Sequence, residues 1–258
     1  MLLSNLILYG TLLACAVVSA WIARQYDLYD YEPWPVLLLA TALGAGGMYA
    51  AGQVQGMVIR LVTDRGAEFT DTMLALLAGS VEEAFKVLAV VVIALAVRRK
   101  FNEPLDGIVY GSFAGLGAAI EESVWVLRHS DTLSHLPPQE PIRLAGHLVM
   151  GGIGCFGLGL LTMPGRRRWH ACWVIPLCFA AAFGLHTVWD VTAFDAAEVY
   201  RDQSLLRGWH TAVPVALMLG GLFAYRGLVS WGASLTRLKN QFCDVRTKRC
   251  PPAEVAGG

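Results

Sequence analysis

The chain has 258 residues, of which 55% are hydrophobic and 16% are charged, and its formal net charge at pH 7 is zero. A mean hydropathy of +0.51 is too high for a soluble globular domain, so the composition indicates an integral membrane protein surrounded by a lipid bilayer. The zero net charge identifies no partner, and we expect no nucleic acid among the partners.

Seven apolar segments are each long enough, at about 20 residues, to cross about 30 Å of hydrocarbon. In chain order they run over Leu2–Ala23, Val36–Leu61, Thr72–Val97, Gly107–Leu127, Leu144–Met163, Ala171–Phe194 and His210–Trp231. We therefore predict an all-α fold, a polytopic membrane bundle of about seven transmembrane helices. It forms a single transmembrane domain over residues 1–235, followed by a short cytoplasmic tail over residues 236–258.

The basic residues of the connecting loops predict an orientation. Arg24, the clusters at residues 98–100 and 166–168, and the basic residues after 236 all fall on one side, whereas the other side holds only isolated arginines. By the positive-inside rule, that first side faces the cytoplasm. We therefore expect a multi-pass protein of the cell membrane with its N-terminus outside and its C-terminus in the cytoplasm.

Three charged residues interrupt the third segment near its middle: Glu82, Glu83 and Lys86. A charge at the centre of a spanning helix costs about 2.5 to 3.5 kcal/mol on insertion scales. Such groups are retained when they have partners or line a wet cavity, so they indicate a functional site.

The later segments carry their own intramembrane polar residues, namely Glu121, Glu122, His147, His186 and Asp190. Facing lipid, the whole set would cost on the order of 10 kcal/mol or more, so its members are expected to converge. At a rise of about 1.5 Å per residue, all of them except Lys86 fall toward the predicted outer half of the membrane. The glycines of the fourth and fifth segments also predict close helix packing, as does the pair Gly52 and Gly56 in the second segment.

Helical spacing narrows the set. Glu82 with Lys86, and His186 with Asp190, are four residues apart, so each pair shares a helix face. The first pair can be read as a self-neutralising structural pair, although one ammonium cannot neutralise the adjacent Glu83 as well. In the second pair, Asp190 is placed to orient the imidazole.

Glu121 and Glu122 point about 100° apart around their helix axis, so only one of them is expected in a small site. The other is expected near the outer interface, where Arg128 or Arg143 can pair with it. His147 taken alone is equally compatible with a buried, hydrogen-bonded histidine.

Four motifs in order, over about residues 75–195, resemble those of the PrsW family of membrane-embedded glutamic-type proteases, which are related to the CAAX prenyl protease and bacteriocin-processing enzymes. The motifs are Glu82-Glu83-x-x-Lys86, the run from Asp106 to Glu122, His147 ahead of a glycine-rich stretch, and Leu185-His186-Thr-Val-Trp189-Asp190.

The resemblance implies an intramembrane endopeptidase that uses activated water. In this interpretation Glu82 or Glu83 is the base, with Lys86 tuning the pair. Glu122, His147 and His186 hold the water, protonate the leaving group or stabilise the oxyanion, and Asp190 supports His186.

No metal or other cofactor is expected in this interpretation. The substrate is expected to be a single-pass membrane protein or a peptide, and the family resemblance allows a membrane-bound signalling regulator. The site is expected to lie toward the outer leaflet.

Three alternatives stay open at this point. Two histidines and several carboxylates could ligate zinc, although the chain lacks His-Glu-x-x-His. Buried Glu, His, Lys and Asp also build proton relays, so a proton-coupled transporter is a second alternative. The third is a scaffold that binds transmembrane helices without cutting them.

Overall fold

The computed structural model describes residues 2–129, 136, 139–164, 169–201 and 208–247. These residues form seven α-helices and no β-strand. The helices are α1 (Leu2–Arg24), α2 (Trp34–Thr63), α3 (Asp71–Ala96), α4 (Pro104–Arg128), α5 (Gln139–Gly159), α6 (Ala171–Arg201) and α7 (Gly208–Thr247), and a short 3-10 turn (Leu160–Thr162) follows α5.

The predicted all-α fold with seven helices is confirmed. Each predicted segment lies largely within one helix, and most helices begin or end a few residues beyond the apolar run. The largest difference is at α7, which continues to Thr247 and therefore includes the first part of the predicted tail. The division into a membrane domain and a cytoplasmic tail stays a prediction.

Local sequence explains several helix starts. Thr70 precedes α3 and its hydroxyl accepts the amide of Met73 at 3.2 Å, which satisfies one of the free N–H groups of the first turn. Prolines occupy the first turns of α2 and α4, where the missing N–H has no consequence.

Among the described residues, five helices are long and apolar enough to cross a membrane, namely α1, α2, α5, α6 and α7. Helix α3 is of similar length but carries Glu82, Glu83 and Lys86. Large apolar side chains cover the outside of the bundle, with Trp173 80% and Phe223 76% exposed. In water this would be unfavourable, so the chain is a multi-pass membrane protein whose outer surface faces hydrocarbon.

Helix α4 is the centre of the bundle, with every residue from Pro104 to Ala119 buried. It packs most extensively against α5 and α2. A methyl group built on Gly111 would collide with the backbone of Gly151, and one on Gly115 would collide with the carbonyl of His147. These glycines confirm the predicted close approach of the fourth and fifth segments.

The same prediction is wrong for Gly52 and Gly56 of α2. Among the described residues, no atom outside the local helix lies within 4 Å of a methyl group built at either position. The two glycines therefore bring no second helix close to α2.

The four helices that carry the intramembrane polar residues are antiparallel neighbours. The start of α3, the end of α4, the start of α5 and the end of α6 lie at the same end of the bundle. Glu122 is about 9 Å from its end of α4, and His147 is about 12 Å from the start of α5, at 1.5 Å per residue. The contacts between their side chains place the polar groups of the four helices at similar depths. Which side of the membrane this end faces stays a prediction.

Candidate active site

The polar residues predicted from the separate segments meet in one buried group, which we call the central cluster. Its members are Glu82, Glu83 and Lys86 of α3, Glu122 of α4, His147 of α5, and His186 and Asp190 of α6.

Glu83 links two helices within this cluster. Its side chain is 1% exposed, and its Oε1 accepts a hydrogen bond from Lys86 Nζ at 2.5 Å. The same oxygen lies 2.7 Å from His186 Nδ1. Lys86 therefore pairs with Glu83, three residues before it, and not with Glu82 as in the alternative structural interpretation of the sequence. A spacing of three residues, as for Glu83 and Lys86, and one of four, as for Glu82 and Lys86, both place side chains on one helix face. The position of α6 selects the spacing of three.

Glu82 makes different contacts from its neighbour. Its Oε1 accepts a hydrogen bond from Gln55 Nε2 of α2 at 3.1 Å, and its Oε2 lies 3.4 Å from His186 Nε2. Within the part of the chain that the structure describes, Glu82 Oε2 is buried without a hydrogen-bond partner. One oxygen of Glu82 is therefore anchored, and the other faces the histidines.

Gln55 was not predicted as a member of the site. An amide in an apolar helix carries no charge, so its insertion penalty is smaller than that of Glu82 and the sequence singles it out less. The available signal was its position in a predicted span as a polar residue that needs a buried partner.

His186 is held between three carboxylates. The contact of its Nδ1 with Glu83 is the shortest at 2.7 Å, whereas its Nε2 lies 3.5 Å from Asp190 Oδ2. The latter distance is longer than an ordinary N–H···O bond. The imidazole is therefore oriented chiefly by Glu83, and the predicted orientation by Asp190 is wrong as the main contact.

His147 approaches His186 from α5, with ring centroids 5.1 Å apart in an edge arrangement. Its Nε2 lies 3.2 Å from Glu122 Oε2, while its Nδ1 is buried and has no hydrogen-bond partner among the described residues. His147 therefore has one ring nitrogen beside Glu122 and one without a partner among the described residues. His186 has its Nδ1 beside Glu83 and its Nε2 directed toward Glu82. This is the arrangement by which outer carboxylates orient histidine ligands.

Arg143 pairs with Glu122, the glutamate of α4 that belongs to the central cluster. Its Nε lies 3.4 Å from Glu122 Oε1, and it also donates to both carboxylate oxygens of Glu140, at 3.0 and 3.1 Å. The prediction that only one of Glu121 and Glu122 enters the site agrees with the structure. Among the described contacts, the ion pairs of the cluster include Glu122 and not Glu121. Of the two arginines predicted to pair with the other glutamate, Arg143 pairs with Glu122 instead, whereas Arg128 interacts electrostatically with Glu121.

The cluster is accessible from one side of the bundle. The side chains of Glu122 and Asp190 are 32% and 21% exposed, whereas those of His147 and His186 are 4% and 3% exposed. The histidines and Glu83 form the closed wall of the site, and Glu122 and Asp190 form its accessible edge.

The residues also fit a divalent metal ion. Glu82, His147 and His186 each offer one ligand atom, and these atoms lie within 4.8 Å of one another. Two imidazoles with one carboxylate form a ligand set used by catalytic zinc. Two of the candidate ligand groups retain buried atoms without hydrogen-bond partners in the described part of the chain, Glu82 Oε2 and His147 Nδ1.

Charge balance leaves room for a cation. The central cluster contains four carboxylates beside two fixed cations, Lys86 and Arg143, and two histidines that become cationic when protonated. Lys86 is an unfavourable neighbour for a metal ion, but Glu83 neutralises it at 2.5 Å. The remaining carboxylates are compatible with a bound cation.

The family comparison agrees with the resemblance of the motifs. The model described as "PrsW family intramembrane metalloprotease" matches residues 32–220 and so includes every member of the central cluster. No significant match was found among curated proteins or among solved structures. From the extent of the family match, which covers most of the chain, this protein belongs to the PrsW family of intramembrane proteases.

Proposed function

We propose that this protein is an endopeptidase that hydrolyses peptide bonds of single-pass membrane proteins or membrane-associated peptides with activated water at the central cluster. The observation that carries the proposal is the convergence of Glu82, His147 and His186 from three helices, with ligand atoms within 4.8 Å of one another. Hydrolysis needs such a group of polar side chains to activate water where the substrate crosses hydrocarbon.

We further propose that water activation is metal-assisted, with Glu82, His147 and His186 holding a divalent cation such as zinc. A cation held there would supply Lewis-acid polarisation of the water and of the substrate carbonyl. The donor set, with Glu82 Oε2 and His147 Nδ1 buried and unpartnered among the described residues, favours this mechanism over the metal-free, glutamate-activated water expected from the sequence.

The surrounding residues then act by positioning. Glu83 holds His186 through Nδ1 and is itself held by Lys86, so the other ring nitrogen of His186 is kept directed toward Glu82. Gln55 fixes one oxygen of Glu82 and leaves the other directed into the cluster. Rigid outer contacts of this kind preorganise the inner groups.

Glu122 is the group best placed to move protons. It is the most exposed carboxylate of the cluster and lies 3.2 Å from His147. In this position it can accept a proton from the attacking water and return it to the leaving amine nitrogen. Arg143, whose Nε lies 3.4 Å from Glu122 Oε1, pairs with the carboxylate before it accepts the proton and again after it has returned the proton.

The metal-free alternative uses the same residues in different roles. Glu82 would be the base that takes the proton from water, with His186 at 3.4 Å as its partner. This alternative differs from the metal-assisted mechanism in one measurable respect, which is the response to chelation.

Substrate cleavage is proposed to occur near the outer surface of the membrane. This proposal depends on the predicted orientation, in which the end of the bundle nearest the central cluster faces outward. It favours peptide bonds at the outer end of a transmembrane segment or in the adjoining stub.

The test uses the purified full-length chain in liposomes with a panel of single-pass membrane proteins, before and after treatment with a strong zinc chelator. We expect cleavage fragments from the wild type that Glu82→Gln and His186→Ala do not release, loss of cleavage on chelation, and recovery with added zinc. Glu121→Gln is the matched control and is expected to cleave normally.

Two results would change the proposal in different ways. Cleavage that persists after complete removal of metal would select the glutamate mechanism. If the wild type released no fragment that the variants fail to release, the protease function itself would be wrong.

A further inference from the structure

We propose that an apolar groove beside the central cluster is a specificity pocket that receives a large apolar side chain of the substrate next to the scissile bond. This inference rests on the proposed peptidase function and specifies its substrates. The groove lies between α5, α6 and α7 and is lined by Gly146, Val149, Met150, Leu185, Trp189, Leu217, Met218 and Gly221.

Its position follows the cluster along two helices. Gly146 immediately precedes His147 on α5, and Leu185 immediately precedes His186 on α6. Trp189 is one helical turn after Leu185 and also lines the groove. Successive residues point about 100° apart, so the groove is the face adjacent to the two histidines. A peptide with its backbone at the histidines therefore has this groove beside it.

Two glycines create the space. A methyl group built at Gly146 would meet only the mobile ends of Met218 and Met150, at 3.5 and 3.7 Å, and one at Gly221 would lie 3.3 Å from Val149. A side chain at either position would enter the groove. The groove, which is shallow and open on one side, thus exists because both helices lack a side chain there.

The chemistry of the walls selects the occupant. All eight lining residues are apolar apart from the indole N–H of Trp189, and the surface that they expose in the groove is almost entirely apolar. A charged or amide side chain would lose its hydration there without gaining partners. Two methionines line the groove, and their flexible thioethers can adapt to branched or aromatic side chains.

No residue of the cluster lines the groove, but groove residues stand directly before and shortly after both histidines along α5 and α6. A bound polypeptide that lies along these two helices can therefore contact both the groove and the cluster. A transmembrane segment supplies the apolar side chain that the groove accepts. We therefore infer that Leu, Phe or Met occupies the position next to the cleaved bond.

The test measures side-chain preference. Synthetic single-pass segments that differ only by Ala, Leu or Phe at one position near the outer end are incubated with the full-length protein in liposomes, and cut sites are mapped by mass spectrometry. For the wild type, we expect kcat/KM at the position beside the cut to be at least about tenfold higher for Leu or Phe than for Ala.

The variant Gly146→Leu fills the groove from one wall. It should lose the preference for Leu and Phe, to within about threefold of Ala, and still cut the Ala segment. Gly184→Leu is the matched control, because a methyl group at Gly184 of α6 meets no described atom within 4 Å. It should keep the wild-type preference.

The variant Met218→Ala widens the groove and provides a second test, which holds even if Gly146→Leu does not fold. It should raise cleavage of the Phe segment relative to the Leu segment, by about threefold or more. Cutting with the same preferences in the wild type, Gly146→Leu and Met218→Ala would overturn the pocket but leave the peptidase function intact. A wild type that cuts none of the segments would overturn both.

Discussion

The protein buries two groups of acidic side chains, and they are arranged in opposite ways. The central cluster brings carboxylates and histidines together from four helices. The second group, here called the end cluster, lies at the opposite end of the bundle and comprises Asp27, Glu32, Glu103, Asp106 and Tyr110.

In the end cluster the acids satisfy local backbone and hydroxyl groups. Asp27 accepts the amide of Glu32 at 2.6 Å, and Tyr110 donates its hydroxyl to Glu32 at 2.5 Å. Asp106 accepts the amides of Asn102 and Glu103, at 2.6 and 2.7 Å, and so closes the loop ahead of α4. The contacts of Asp27 and Asp106 join neighbouring parts of the chain, whereas the bond from Tyr110 ties α4 to the segment ahead of α2.

In the central cluster the contacts cross between helices instead. Every close contact of Glu82 and His186 is with a side chain from another helix except the 3.5 Å contact of His186 with Asp190, among the contacts described. Glu82 Oε2 and His147 Nδ1 keep no hydrogen-bond partner in the described structure, and neither does Glu32 Oε1 of the end cluster, so the two clusters differ in the neighbours of their acids and not in this respect. A buried acid that accepts hydrogen bonds from the amides of a loop stabilises the fold. A buried acid that faces other titratable side chains indicates a catalytic or binding site.

The largest expected effect comes from Glu82→Gln. This variant keeps the shape of the side chain and the fold, but activity on a membrane substrate should fall on the order of 10²- to 10⁴-fold. Thermal unfolding, followed by intrinsic tryptophan fluorescence, should change little. A variant that loses its folded state and its activity together would place Glu82 with the structural acids of the end cluster.

The second effect concerns Glu83 and Lys86. Glu83→Gln leaves a buried ammonium without its carboxylate and should reduce the free energy of unfolding by about 3 to 5 kcal/mol. The double variant Glu83→Gln, Lys86→Met should recover most of this stability because no unpaired charge is left. Its activity should still be about 10- to 100-fold low, since His186 has lost its orienting carboxylate.

If the double variant recovered activity together with stability, Glu83 would be a purely structural partner of Lys86. Denaturation in mild detergent and steady-state cleavage rates, measured on the same samples, separate the two outcomes.

A third prediction concerns the residue that joins α2 to the site. Gln55→Leu removes the amide that holds Glu82 Oε1, so activity should fall at least about tenfold with little change in KM. Gln53→Leu is the matched control, because Gln53 is exposed on the same helix. Equal effects of the two substitutions on kcat would remove Gln55 from the site.

The fourth prediction addresses the end cluster. Asp106→Ala exposes two amides ahead of α4 and should lower stability by about 0.5 to 2 kcal/mol, the usual range for loss of a helix cap. Cleavage per folded molecule should stay unchanged. Asp64→Ala, at an exposed position after α2, should change neither quantity. Loss of cleavage in folded Asp106→Ala would show that the end cluster also takes part in catalysis.

The smallest effect is a pH dependence of stability. Burial raises the pKa of Glu32 from 4.5 to about 7, while the hydrogen bond from Tyr110 opposes this shift. Because the folded protein binds this proton more tightly than the unfolded chain does, the stabilisation is complete below about pH 4.5 and is lost as pH rises through about 7.

The midpoint of thermal unfolding should therefore fall by a few degrees between about pH 5 and pH 8. Burial also raises the pKa of Asp27 and Glu103, with the same sign. Glu32→Gln cannot titrate and should flatten part of this dependence. An unchanged slope in Glu32→Gln would assign the dependence to other groups.

The helices were predictable because long apolar runs and charged loops mark them in the sequence. Membership of the central cluster was also predictable, since Glu82, His147 and His186 are expensive in hydrocarbon and recur at compatible depths. Sequence spacing reports which residues share a helix face, and that was enough to bring the correct helices together.

The pairings inside the cluster were not predictable. Lys86 can reach Glu82 or Glu83 from one helix face, and the choice depends on Gln55 of α2 and His186 of α6, which occupy the two carboxylates from outside. Arg143 likewise selects Glu122 because of how α5 lies along α4. Such choices are set by contacts between helices, which no local spacing encodes.

Gly115 of α4 has a consequence for how precisely the site is built. A single methyl group there would collide with the carbonyl of His147 and push α5 away from α4. Reactive groups need placement to within about 0.5 Å, and one methyl group is larger than that tolerance. The distance between Glu122 and His147 therefore depends on the absence of a side chain at Gly115, two helical turns from Glu122. Substitutions at such positions can inactivate the site although they change no reactive group.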